Sequence, residues 1–191
     1  MGFGGGSSGL GSPPAIFRLV GSYAAAIAEL TTTFTIPTAL QNPLDVAGYL
    51  IIIDGSATAA LTLNMRYNTL ATAFYNSLGS RQISNTGVVT DLAGGFAVSQ
   101  LLADATAIAG ANNPFNGKVY VELQSATGTE DDNVAFQSEI VTWDNTGVSF
   151  YQSMAGGRLN QDVATLTSLT ILASANWNIG TKITMYALMR A

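Results

Sequence analysis

Apolar residues recur at every second position in short runs broken by Gly, Pro, Asn and Asp, and this leaves few folds open to the chain. A period of two puts alternate side chains on opposite faces of an extended strand, whereas a helix repeats every 3.6 residues. Leu61, Leu63, Met65 and Tyr67 alternate with Thr62, Asn64 and Arg66. Val119, Val121 and Leu123 alternate with Lys118, Tyr120 and Glu122 in the same way, the apolar set pointing inward. Residues 29–36 make a Thr-rich strand stopped by Pro37. Residues 48–54 (Gly-Tyr-Leu-Ile-Ile-Ile-Asp) are apolar almost throughout, the pattern of a strand covered on both faces. Residues 134–143 and 148–154 flank Asp144-Asn145-Thr146-Gly147, a hairpin signal, and residues 169–173 and 182–188 close the chain.

Helical pattern is scarce. Residues 99–109, rich in Ala and Leu, are the best candidate, and residues 69–78 the weaker one. About eight strands of roughly 5 to 10 residues predict an all-β fold: an antiparallel β-sandwich of jelly-roll rather than immunoglobulin type, with one or two short helices. No internal repeat stands out. The domain reading is an extended N-terminal arm over residues 1–15 and one sandwich domain over residues 16–191. Gly, Ser and Pro dominate the arm, which cannot pack a core, so it is expected to dock on neighbouring subunits. Phe3 and Leu10 are its anchors, with Pro13 and Pro14 beside them as partner contacts.

Composition narrows the function. Charged residues make up 10% of the 191, against about 25% in an ordinary globular protein, leaving a surface of Thr, Ser, Asn, Gln and Ala. Such a surface hydrates weakly and suits subunits that live packed against other subunits. The net charge is −5, and the cations stand singly, at Arg18, Arg66, Arg81, Lys118, Arg158, Lys182 and Arg190. Nucleic-acid binding needs several Lys or Arg on one face, so no nucleic-acid partner is expected. With no Cys and no His, disulfides, thiolate nucleophiles, imidazole bases and the usual zinc ligands are absent. The longest apolar run, residues 46–53, is too short to span a bilayer, and the N-terminus lacks a signal-peptide pattern. The expectation is a soluble protein with no membrane partner.

Three features could carry chemistry, and each has a plainer reading. The Gly-rich start lacks the Gly-Lys-Ser/Thr ending of a phosphate loop. Glu130, Asp131 and Asp132 could ligate Ca²⁺, but without the spaced Asp pattern of a calcium loop they read as a solvated turn. Glu122 and Glu139 fall on neighbouring strands at outward positions, a cross-strand surface pair rather than a glycosidase dyad. The chain is therefore expected to be no enzyme and to hold no cofactor or metal. Phe136 and Trp143 fall on opposite faces by parity. Trp143 with Tyr151 is the candidate exposed pair, for a subunit interface in preference to a sugar.

The final third carries a resemblance. Leu169-Thr-Ile-Leu-Ala-Ser-Ala-Asn-Trp-Asn-Ile-Gly-Thr-Lys-Ile-Thr-Met-Tyr-Ala-Leu188 has a penultimate strand, a small polar loop to an aromatic, then Gly-Thr and a last strand. Residues 48–53, 61–68 (Leu-Thr-Leu-Asn-Met-Arg-Tyr-Asn) and Phe74-Tyr75 agree with it. This pattern resembles the structural proteins of tailed-bacteriophage virions with a jelly-roll domain: head decoration or cement proteins, head fibres and tail appendages. Ala187 stands where the family usually carries Gly. The resemblance implies a virion protein assembled in the host cytoplasm, commonly a homotrimer. It would be a capsid decoration or cement subunit held to the major capsid protein by its arm; the alternative is a tail-fibre or adaptor domain that binds a host receptor. Within the motif, Gly180 suits a turn needing positive φ, and Trp177 and Tyr186 supply large buried area.

Overall fold

The alternating segments become strands in two antiparallel sheets. The structure is a computed structural model that describes residues 16–70, 75–83, 95–96, 99–101, 112–123, 134–143, 150–159 and 165–190. The strands are β1 (Phe17–Ala24), β2 (Thr31–Thr35), β3 (Val46–Gly55), β4 (Leu63–Tyr67), β5 (Tyr75–Ile83) and β6 (Gly95–Phe96). They continue with β7 (Ser99–Gln100), β8 (Phe115–Leu123), β9 (Val134–Trp143), β10 (Phe150–Leu159), β11 (Ser168–Ala173) and β12 (Lys182–Met189). The larger sheet has the order β1-β12-β3-β8-β9-β10-β5-β6, and the smaller β2-β11-β4-β7. The fold is all-β, as expected.

The pairing is nested. β1 pairs with β12, β2 with β11, β3 with β8 and β4 with β7, so the first and last strands meet and successive pairs work inward. A long antiparallel ribbon wound over on itself gives this order, with its pairs falling alternately in the two sheets. Two excursions depart from it: β5 and β6 lie in sequence between β4 and β7, and β9 and β10 between β8 and β11. Both excursions extend the larger sheet past β8.

Period two decides what each strand buries. Along β8 the odd positions from Phe115 to Leu123 are buried and the even ones exposed, and β9 does likewise with Val134, Phe136 and Ile140 inside. The larger sheet contributes Tyr49, Ile51, Ile53, Ile183 and Met185 to the core, and the smaller Met65, Tyr67, Leu169 and Ile171. Each such side chain contributes roughly 1.5–3 kcal/mol by leaving water. Trp177, on the connection from β11 to β12, is wholly buried with its ring centroid 6.1 Å from that of Phe115. Gly180 follows at φ +93°, the left-handed turn expected of it. Gly48 serves a close approach instead: a Cβ there would run into the carbonyl oxygen of Val121 on β8.

Several expectations need correction. Residues 75–78 of the weaker helix candidate belong to β5, paired along its length with β10; nine consecutive sheet pairs outweigh a weak local helical bias. At the start of the other candidate, Ser99 and Gln100 pair with Met65 and Asn64, and residues 102–109 lie outside the described set. Among the described residues the one helical element is a 3₁₀ turn, Thr38–Leu40. The 48–54 run is covered on one face, not two: Tyr49, Ile51 and Ile53 are buried, but Ile52 is 38% exposed. Tyr186 is half-buried on the outer face, and β1 was not anticipated. The arm over residues 1–15, with Phe3, Leu10, Pro13 and Pro14, lies outside the described residues, as do the 144–147 turn and Glu130–Asp132.

Candidate functional site

The most distinctive surface is the outer face of the larger sheet. Register puts Leu19, Tyr186, Leu50, Tyr120, Gln137 and Gly156 side by side in one row across six strands. Leu19 is 59% and Tyr120 47% exposed, although both are large and apolar in body. Two residues to one side runs a second row, Phe17, Leu188, Gly48, Glu122, Ala135 and Arg158. Two residues to the other side, three on β1 where the register shifts between Leu19 and Gly21, runs a third, Ser22, Thr184, Ile52, Lys118, Glu139 and Met154. Phe17 and Tyr186 meet edge to face across the first two rows, centroids 6.5 Å apart. Scattered exposed apolar residues are ordinary, but a contiguous patch marks an interaction surface.

The second row dips at its centre, beside Ala135. The depression is local: Ala135, with Gly156 and Gly157 of β10, leaves an open groove of about 540 Å³ walled by Tyr120, Gln137, Glu122 and Leu188, while Phe17 and Arg158 at the far ends of the row stand exposed. Arg190 stands at the end of the groove, held by Nε donating to the Pro43 carbonyl at 2.9 Å and Nη2 to the Leu123 carbonyl at 3.1 Å. The third row stands proud: Ile52, Lys118, Glu139 and Met154 are all exposed, and Glu139 Oε1 accepts from Gln152 Nε2 at 2.8 Å.

The two outward carboxylates are not a pair. Glu139 lies opposite Lys118, and Glu122 opposite Ala135, so they stand four residues apart along the strands. That is about 13 Å, wider than the roughly 5–9.5 Å between the carboxyls of glycosidases. Nor do Trp143 and Tyr151 form one surface. Trp143 is 44% exposed on the outer face, whereas Tyr151, opposite Thr142, points inward and packs partly buried against the core. Strand parity places neighbours in register on the same face, and Tyr151 aligns with Thr142 rather than Trp143. Phe136, by contrast, is on the face opposite Trp143, as parity predicted.

Among the described residues no group of three His, Cys, Asp or Glu side chains could hold a metal ion. Two phenols away from this face have raised pKa values. Burial pushes Tyr49 up to about 12, and its hydroxyl donates to the Leu40 carbonyl at 2.7 Å. Burial, then the neighbouring Glu29 carboxylate, raises Tyr23.

Sequence reasoning set Tyr120 outward but missed Ile52 and the half-buried Leu50 on the same outer face. The signal was present: Tyr120 sits between Lys118 and Glu122 at outward parity, and its register partner Leu50 must share that face. No protein-family model matches the chain, and no curated protein matches it.

Proposed function

We propose that this chain is a non-enzymatic structural subunit of a tailed-bacteriophage virion, a capsid decoration or cement protein with a jelly-roll domain. The observation that carries the reading is the outer face of the larger sheet, where large apolar side chains stand exposed in register on a chain with 10% charged residues. A protein that worked alone would gain nothing from such a face and would risk aggregation. The nested pairing of β1 with β12, β2 with β11, β3 with β8 and β4 with β7 supports the jelly-roll reading; the β5–β6 and β9–β10 excursions are additions to that ribbon.

In this reading the work is mechanical. The arm lies over major capsid protein subunits through Phe3 and Leu10, the sandwich stands on the shell, and several copies together turn modest contacts into avidity. The resemblance implies threefold assembly. Quantitative mass spectrometry of purified particles tests the proposal: hundreds of copies per particle are expected. A few tens or fewer would move the chain to the tail, in favour of a fibre or adaptor domain. Absence from intact particles would overturn the virion reading.

A further inference from the structure

We infer that the outer face of the larger sheet is a self-complementary contact, binding the same face of a second copy about a two-fold axis. The inference rests on the reading that the chain assembles; it assigns the surface, and it sets a two-fold contact where the resemblance implies a threefold one. Take the axis to lie in the interface along the Leu19–Tyr186–Leu50–Tyr120 row, across the strands. A half-turn about it returns each strand over its own copy with direction reversed, so the second row of one subunit meets the third row of the other.

The residues match position by position. Lys118 and Glu122 sit two residues either side of Tyr120 on β8, about 7 Å each way, so each Lys118 comes to the partner's Glu122. Ile52 and Gly48 flank Leu50 on β3 in the same way, so each exposed Ile52 is set over the partner's Gly48, which carries no side chain to oppose it. On β9, Glu139 is carried over Ala135, into the groove that Arg190 closes. Every one of these contacts occurs twice, as a two-fold interface requires. Tyr186, Leu50 and Tyr120 meet their own copies at the centre, giving an apolar core inside a charged and polar rim. Two twisted sheets stack in this manner with their strands within about 30° of each other.

Charge and size point to a second copy as the occupant. The described outward positions on this face carry Lys118, Arg158, Lys182 and Arg190 against Asp54, Glu122 and Glu139, close to neutral, in a chain with 7 basic and 12 acidic residues. A face with the chain's overall acidity would repel its own copy. The three rows span six strands, roughly 30 by 20 Å with side chains, and the corrugated surface of that footprint approaches the ~800 Å² per partner of a standard interface.

Analytical ultracentrifugation of the full chain from 1 to 100 µM, with Lys118→Glu, Glu122→Lys and the double exchange, tests the contact. The wild type should sediment as a dimer of the 19.8 kDa chain. Either single reversal should weaken dimerisation at least tenfold, because it sets like charges together at two symmetric points, and the double exchange should recover most of the loss. Both positions are exposed, and circular dichroism confirms folding of each protein. A trimer would overturn the two-fold contact and leave the coat reading standing. A monomer at 100 µM, or a dimer indifferent to both reversals, would also overturn it; the copy number on particles tests the coat reading separately.

Discussion

The inner face of the larger sheet is built in two ways. Between β1 and β8 it presents Tyr49, Ile51, Ile53, Val119, Val121, Ile183 and Met185, all buried against the smaller sheet. Beyond β8 the same face changes character: Ser138 and Thr142 interrupt the apolar positions of β9, Ser153 and Ala155 replace them on β10, and Ser77 is buried on β5. The first half is held by transfer of large side chains from water. The second needs hydrogen bonds to offset the burial of its hydroxyls: Ser138 Oγ donates to the Leu101 carbonyl at 2.7 Å, and Thr142 Oγ1 to the Pro114 carbonyl at 3.0 Å. The ribbon of nested pairs is therefore the expected stable body, and the β9–β10–β5 extension the part with less free energy per strand.

The largest expected effect breaks the apolar half. Trp177 is fully buried against Phe115, and its backbone N–H donates to the Glu29 carbonyl at 2.8 Å, tying the β11–β12 connection to the segment before β2. Trp177→Ala should cost about 3–5 kcal/mol, the range for deleting a core aromatic. Chemical denaturation should show the midpoint falling for probes in both sheets together. A loss under 1 kcal/mol would mean the ribbon core does not dominate stability.

A smaller effect tests a buried polar atom in that wall. Tyr49 is buried and donates to Leu40, and burial pushes its phenol up to about 12. A phenol that ionises near 10 when unfolded and near 12 when folded favours the native state fully below pH 10. That contribution is lost as pH rises from 10 through 12. Tyr49→Phe leaves the Leu40 carbonyl unpaired and should cost about 1–2 kcal/mol at pH 7. Melting temperatures from pH 7 to 12 should show wild type falling faster above pH 10, so that the gap to the variant narrows. A constant gap would mean that Tyr49 ionises alike in both states.

What the sequence made legible follows the same division. Strands whose alternation is apolar against polar are the legible ones, β9 to the residue and β8 from Lys118 onward though it starts at Phe115, because burial on one face writes period two directly. β5 was hidden, since Tyr75-Asn-Ser-Leu-Gly-Ser-Arg-Gln-Ile83 has no such alternation and owes its extended form to pairing with β10. β1 was hidden by exposed Phe17 and Leu19 on its outer face, which blur the contrast between sides. The same blurring concealed the outer face itself: apolar side chains at outward positions read as buried until register shows them standing together. Trp143 and Tyr151 fail as a pair for a related reason, because pairing register decides which residues share a face and single-strand parity does not supply it.

The smallest effect on global stability should come from the extension, and it separates the two halves most cleanly. Ser138 sits at the centre of β9, where its hydroxyl reaches the carbonyls of Leu101, just after β7, and Ala155, on β10, at 2.7 and 3.3 Å. It thus ties the extension to the smaller sheet and to its own neighbour at one point. Ser138→Ala strands the buried Leu101 carbonyl, a local penalty of about 1–3 kcal/mol. If β9, β10 and β5 open as a unit below the global unfolding free energy, that penalty falls on the local opening and barely reaches the global transition. Native-state hydrogen exchange should then show amides of β9 and β10 exchanging about 5- to 150-fold faster in Ser138→Ala, the rate equivalent of 1–3 kcal/mol, while β3, β8 and β12 keep wild-type protection. The melting temperature should move by about a degree or less. Uniform acceleration across both halves would mean that the larger sheet unfolds as one cooperative body, and the contrast between its halves would then be one of composition alone.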